Sequence, residues 1–262
     1  MLALEEADLE RRFGGLRRLY GDADYARLRG ARFAVVGLGG VGSWAVEALA
    51  RMGVAELVLI DLDQVAESNI NRQVQALGST VGMAKAEALR RRIADIHPGC
   101  VVTVIEEFVD EQNWPALLGD RAIDGLIDAC DQVRAKAALA AWAREQKRPF
   151  VTVGAAGGKR QPHALQVEDL GAVTHDPLLA SLRQRLRKFH AAPGQGRKMG
   201  VACVFSREAV LRPADAGCEL GEAQSDGSLN CHGYGSSVAV TASFGMAAAA
   251  ELVKLFLQNS CV

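Results

Sequence analysis

The stretch IDLDQVAESNINRQ, residues 60–73, gathers Asp61, Asp63, Asn69, Arg72 and Gln73, and Lys85 follows it closely. A carboxylate so placed accepts both hydroxyl protons of a ribose, whereas amides and cations serve phosphate oxygens. Upstream, GLGGVGS sets Gly37, Gly39 and Gly42 in the order G-x-G-x-x-G, with Gly40 between them. Missing Cβ atoms let such a turn close against a phosphate, and free N–H groups at the start of the next helix favour its charge. The pattern points to a nucleotide without choosing between NAD and ATP. Asp61, about 20 residues past the last glycine, fits the ribose of either. The polar and cationic groups that follow it fit a triphosphate better than hydride transfer.

Two further groups extend this chemistry. Lys85 falls near the start of a helix expected to begin around Thr80 to Gly82, where the helix dipole opposes a cation unless a phosphate is close. In LIDACDQVRAKAAL, Asp128 and Asp131 stand at and just beyond the end of a strand, the edge along which open α/β sheets bind ligands. One of these acids could hold Mg2+ between phosphates, offsetting charge as pyrophosphate leaves. Asp131 could equally cap the following helix.

The elements that must position these groups alternate in type. RFAVVG (32–37), AELVLID (55–61), CVVTVI (100–105), DGLIDA (124–129) and PFVTVG (149–154) read as short apolar strands. GGVGSWAVEALARMG, VGMAKAEALRRRIADIHPG and QVRAKAALAAWAREQKR read as helices, the second stopped by Pro98 and Gly99. This rhythm over residues 30–155 predicts an α/β fold, a Rossmann-like doubly wound and mostly parallel sheet covered on both faces. After Gly158 the pattern changes. HALQVEDL reads as an edge or antiparallel strand, and THDPLLASLRQRLRKFH as a helix with Asp176 at its N-cap and Pro177 at its first position. AAPGQGRKMG reads as a flexible loop, VACVFSRE as a further strand, residues 213–230 as a polar crossover, and a closing helix starts at about Ser236. The expected division is an N-terminal helical segment (1–30), a nucleotide-binding core (31–158) and an antiparallel extension (159–262) that elaborates one face of the same domain.

With 262 residues, 49% of them apolar and 23% charged, the chain is an ordinary globular one. A formal net charge of -1 argues against nucleic-acid binding through overall charge, so an anionic partner must meet a local patch. Residues 181–200, SLRQRLRKFHAAPGQGRKMG, supply one: Arg183, Arg185, Arg187, Lys188, Arg197 and Lys198, with no acid among them. That is a footprint for RNA phosphates, with a solvated helix face as the plainer alternative. The six cysteines are scattered, without a CxxC pair or a Cys/His cluster, so neither zinc nor a disulfide framework is expected. Cys231, in LNCHGYGSS, is a candidate nucleophile or sulfur-relay thiol. The N-terminus begins acidic and lacks the apolar core of a signal peptide, which places the chain in the cytoplasm. Ser236 to Leu257 is apolar enough to resemble a membrane span, yet Glu251 and Lys254 interrupt it, and a buried or dimer-forming helix is the preferred reading.

GLGGVGS, LIDLDQVAESNINRQ, VGMAKAEAL and DACDQVRAKAAL, in that order, resemble the HesA/MoeB/ThiF family, whose adenylating domain is shared with ubiquitin-activating enzymes. The resemblance implies ATP-dependent activation of a carboxylate, with Asp61 on the ribose, Asn69, Arg72 and Lys85 around the phosphates, and Asp131 on Mg2+. Attack by the substrate carboxylate would then release pyrophosphate and leave an acyl adenylate. RFGGLRRLYG, VEDLGAVTHDPLLASLRQRLRK, GVACVFSRE and VTASFG extend the likeness over nearly the whole chain, to the tRNA threonylcarbamoyladenosine dehydratase branch. That branch implies adenylation of the threonylcarbamoyl carboxylate on an adenosine beside the tRNA anticodon, followed by ring closure and loss of AMP. Its implied partners are the modified tRNA, a second copy of the chain, and a cysteine-desulfurase or sulfur-acceptor system near Cys231.

Two departures matter. The paired CxxC zinc ligands of sulfur-carrier-activating members are absent. Where those members carry an N-terminal arginine, in an R-Y-x-R-Q pattern, that reaches the partner subunit's ATP, this chain has Gly15, leaving Arg12, Arg17 or Arg18, of which Arg18 is preferred. Three other readings stay open: adenylation of a ubiquitin-like or sulfur-carrier C-terminus, a non-catalytic nucleotide-sensing tRNA-binding protein, and, last, an NAD dehydrogenase.

Overall fold

The computed structural model describes residues 7–211 and 234–259, so Cys231 lies outside the described residues. Seven strands form one sheet in the order β3-β2-β1-β4-β5-β7-β6. They are β1 (Arg32–Val36), β2 (Glu56–Ile60), β3 (Val101–Ile105), β4 (Gly125–Asp128), β5 (Phe150–Val153), β6 (Leu165–Asp169) and β7 (Ala202–Ser206). All neighbours run parallel except β6, which pairs antiparallel with β7 at the sheet edge. The α/β Rossmann-like architecture expected from the alternation is therefore present. The central strands are buried on both faces, which is why they read as continuous apolar runs.

Helices α1 (Leu9–Phe13) and α2 (Gly15–Arg29) precede the sheet, followed by α3 (Gly42–Arg51), α4 (Lys85–Ile96), α5 (Val133–Glu145), α6 (Pro177–Phe189) and α7 (Val238–Gln258). One face of the sheet packs side chains of α3, α4 and α7, including Val46, Leu49, Leu89, Phe244 and Leu252. The other packs α5 and α6 through Leu139, Ala140, Leu182 and Leu186, together with Trp114 and Leu118. The second half of the chain does more than elaborate one face. Its strands extend the sheet edge, α6 covers one side and α7 the other.

By length and composition α7 could cross a membrane, but it lies in the fold with Val240, Phe244, Ala248, Ala249, Leu252 and Val253 buried. Asp176 caps α6 as expected, its side chain accepting from the Leu179 N–H, with Pro177 at the first turn. The helix start that moves most is that of α4, which begins at Lys85 and not around Thr80 to Gly82. Gly82 adopts φ +85°, outside helical space, and the Lys85 N–H donates to the Asp63 carbonyl instead of entering an earlier helical turn.

Candidate active site

β1 leads out of the sheet into the glycine turn. Gly37 holds φ +83°, and a Cβ there would stand 2.8 Å from the Ala129 carbonyl carbon and the Cys130 nitrogen, so only glycine lets β1 and the segment after β4 approach this closely. A Cβ on Gly39, by contrast, would meet nothing within 4 Å. Space is left on the side where a phosphate would lie against the start of α3. The β1–β2 and β1–β4 registers set Val36 beside both Ile60 and Asp128, which brings the three strand ends to one place. The chain order reverses between β1 and β4, the topological position at which such sheets bind ligands.

A cavity of about 850 Å3 opens at that place, a size suited to a nucleotide. Gly37, Gly39, Gly40, Asp61, Asp63, Asn69, Arg72, Gln73, Lys85 and Asp131 all line it, so residues scattered over the first half of the sequence share one cavity. Gly42, at the first position of α3, is buried in the turn behind the lining. Asp61 is buried, with Oδ2 accepting the Leu38 N–H at 2.6 Å and Oδ1 accepting the Asp63 N–H at 2.8 Å. Burial pushes its carboxyl pKa up, and the charge of Lys85 and these two backbone donors partly offset the shift. Each carboxylate oxygen keeps a further lone pair for a ribose hydroxyl. Lys85 is only 6% exposed and its Nζ lies 2.6 Å from Asp63 Oδ2. Asp63 thus aims the ammonium group.

Arg72 donates from Nη1 to the Ser68 carbonyl and to Asn71 Oδ1, at 2.6 and 2.9 Å. Its own carbonyl accepts from Trp44 Nε1 and Thr241 Oγ1, tying this loop to α3 and α7. Asn69 and Gln73 are buried and do structural work as well as facing the cavity. Asn69 Oδ1 accepts the Ala66 N–H, and Gln73 Oε1 accepts from Gln75 Nε2, which also donates to the Leu38 carbonyl in the glycine turn.

The two acids after β4 separate by role. Asp128 is fully buried, its Oδ2 lying 3.0 Å from Lys136 Nζ and accepting from Thr152 Oγ1 at 2.6 Å, while Cys130 Sγ donates to Oδ1 at 2.9 Å. Burial alone would pull the Lys136 pKa down, but the adjacent Asp128 outweighs it and raises the value, which favours the charged ammonium. Burial and the Asp128 charge push the Cys130 thiol well above its ordinary value, which makes it a poor nucleophile. Asp131 does not cap α5, whose N-cap is Gln132. It faces the cavity, and among the described residues no hydrogen bond or ion pair engages it. Of the two acids after β4, Asp131 is therefore the one free to meet a cation.

Sequence reasoning missed Lys136, Thr152, Thr241 and the half-exposed Phe108 on the cavity rim. Lys136 was visible only as a helix residue, and its partnership follows from the Asp128 to Thr152 register. Arg18 is exposed on α2 and does not line this chain's cavity. In the adjoining helix, Arg12 donates to the carbonyls of Asp95 and Ile96 at the end of α4, which sets the N-terminal helices near the end of the sheet where β2 and β3 begin.

The basic segment is less uniformly available than its sequence suggests. Arg183 donates to the Leu170 and Val173 carbonyls and Arg187 to the Pro193 carbonyl, while Arg185 pairs with Glu111 at 2.5 Å, an acid supplied from a distant part of the chain. Lys188, Arg197 and Lys198 remain exposed.

Comparison with known proteins adds a family and its relatives. The profile of the ThiF family matches residues 13–262. The tRNA threonylcarbamoyladenosine dehydratase of Escherichia coli (strain K12) is 44% identical over 254 residues, covering 95% of this chain and 94% of the relative. Crystal structures of the E. coli enzyme, TcdA, in complex with ATP and with AMP each match with a TM-score of 0.85, at 41% identity and over 97% of both chains.

Proposed function

This chain belongs to the ThiF family, and from that premise we propose that it is an ATP-dependent tRNA threonylcarbamoyladenosine dehydratase of the cytoplasm. The observation that carries the reading is the convergence of Arg72, Lys85 and Asp131 on one cavity with the glycine turn and Asp61. A relative is known in complex with ATP, the substrate of a carboxylate adenylation, and with AMP, the group that leaves when the acyl adenylate reacts on.

In this mechanism Asp61 and Asp63 hold the ribose side of ATP, and the Gly39 to Gly42 turn receives the phosphates on backbone N–H groups. Asn69, Arg72, Gln73 and Lys85 orient the phosphate oxygens. Arg72 and Lys85 stabilise the negative charge that grows on the leaving pyrophosphate as the substrate carboxylate attacks the α-phosphorus. Asp131 would hold Mg2+, which supplies charge neutralisation between phosphates; its unengaged carboxylate on the cavity wall fits that ion. Ring closure within the threonylcarbamoyl group then displaces AMP, and the chemistry requires no enzyme thiol from Cys231. The exposed Lys188, Arg197 and Lys198 meet tRNA phosphates, with Arg183, Arg185 and Arg187 bracing that surface.

Incubation of the protein with ATP, Mg2+ and threonylcarbamoylated tRNA is expected to yield a nucleoside lighter by one water, with AMP and pyrophosphate, by mass spectrometry. An unchanged nucleoside mass with folded protein would overturn the proposal. Stimulation of ATP–pyrophosphate exchange by a carrier protein's C-terminal glycine, and not by tRNA, would replace it with the sulfur-carrier reading. Arg72→Ala and Lys85→Ala should each lower kcat by about two orders of magnitude or more while the fold survives, and near-normal turnover in either would remove that residue from the phosphate site.

A further inference from the structure

We propose that Phe189 is a stacking platform for an unpaired base of the RNA substrate, an inference that rests on the tRNA reading above. Phe189 closes α6 and is 57% exposed. Two cations flank its ring, Arg185 Cζ and Lys188 Nζ each 5.0 Å from the centroid. Arg185 is not free to leave, because Glu111 Oε1 accepts from both its Nε and its Nη2. A fixed guanidinium therefore braces an aromatic face that the core does not use, while Lys188 remains exposed beside it. An exposed ring among cations is the arrangement by which proteins hold single-stranded nucleic acid, the bases stacking on the ring and the phosphates meeting the charges. The chain's net charge of -1 makes the basic run over residues 181–200 a local feature, which favours an anionic partner over a neutral surface, and Lys188, Arg197 and Lys198 are its exposed cations.

The position suits the same substrate. Pro177 and Leu178, at the start of α6, line the nucleotide cavity. Phe189 lies at the far end of the helix, about 18 Å away at a rise of about 1.5 Å per residue. A stacked strand advances about 3.4 Å per nucleotide, so about five stacked nucleotides would span from the cavity's α6 lining to the platform. That distance falls within one anticodon loop.

The test compares steady-state kinetics and tRNA binding of the full chain and its variants. Phe189→Ala should raise KM for threonylcarbamoylated tRNA about ten-fold, leaving KM for ATP and kcat at saturating tRNA unchanged. Phe189→Trp should restore the KM and show quenching of the added indole when tRNA binds. In a salt titration, Phe189→Ala should weaken binding at every salt concentration with the slope intact, whereas Lys188→Ala should reduce the slope by about one. An unaltered KM in Phe189→Ala, or an equal loss in Phe189→Trp, overturns the platform while wild-type turnover keeps the dehydratase reading. A wild-type chain that neither binds nor converts the tRNA removes both.

Discussion

Asp128 and Asp131 are two carboxylates of one short motif with opposite surroundings, and the difference makes a measurable prediction. Asp128 is bound by Lys136, Thr152 and the Cys130 thiol with no solvent to replace any of them. Lys136→Met leaves that charge buried and unpaired, and should cost about 3–5 kcal/mol in denaturant unfolding. Asp131→Asn should leave stability nearly unchanged and affect turnover. The motif DACD announced acids at a strand end. It did not say which would be consumed, because Lys136 reaches Asp128 from α5 and Thr152 from the neighbouring strand. Asp61 carries a second prediction. Burial raises its pKa and Lys85 partly opposes the rise. An acid whose folded pKa is raised contributes stability below its unfolded value, and that contribution is lost as pH rises through the folded value. Nucleotide binding runs the other way, since the ribose needs the carboxylate. Affinity for ATP should therefore fall as pH drops through the elevated pKa of Asp61. In Lys85→Met the midpoint of that fall should move to higher pH, which equilibrium binding across a pH series would measure; an unmoved midpoint would break the coupling.

At the scale of elements, α3 and α7 form the seam that supports the loop bearing Arg72. A Cβ on Gly245 of α7 would run into the Val41 carbonyl and stand 2.8 Å from the Ala45 nitrogen and from Trp44 Cβ. Alanine gains about 1 kcal/mol of helix propensity over glycine, but the overlap is with backbone, which cannot rotate away. Gly245→Ala should therefore destabilise by about 1–3 kcal/mol and, because Thr241 Oγ1 and Trp44 Nε1 both donate to the Arg72 carbonyl, it should also raise KM for ATP. Thermal unfolding and ATP kinetics on the same variant check the two halves of the claim. The strands and most helices were legible because apolar runs and the Asp176–Pro177 cap are local signals. The start of α4 was not, since Gly82 and the Lys85 to Asp63 backbone bond interrupt a composition that favours helix. Nor could an apolar stretch like that of α7 reveal which sheet face it would cover.

For the whole molecule, the position of Arg18 is informative. It belongs to the N-terminal helices, where Arg12 ties to the end of α4 and Arg17 is held by Glu10 and Asp22. The cavity lies where the strands end, and Arg18 does not line it. An arginine so placed can serve ATP only in a neighbouring copy, and in a two-fold dimer each copy would lend its arginine to the other. Arg18→Ala and Lys85→Ala should then each be inactive alone. Co-expressed as differently tagged chains, half of the dimers are mixed, and each mixed dimer holds one site with an intact Lys85 and a neighbour's intact Arg18. Turnover should recover to about a quarter of wild type per site when exchange of this two-fold pair is random, and purification through both tags should raise it to about half. Light scattering would have to give a dimer mass for the same preparation. No recovery in doubly tagged dimers would show that Arg18 does not act across the interface, and full activity of Arg18→Ala alone would show that it is not needed at all.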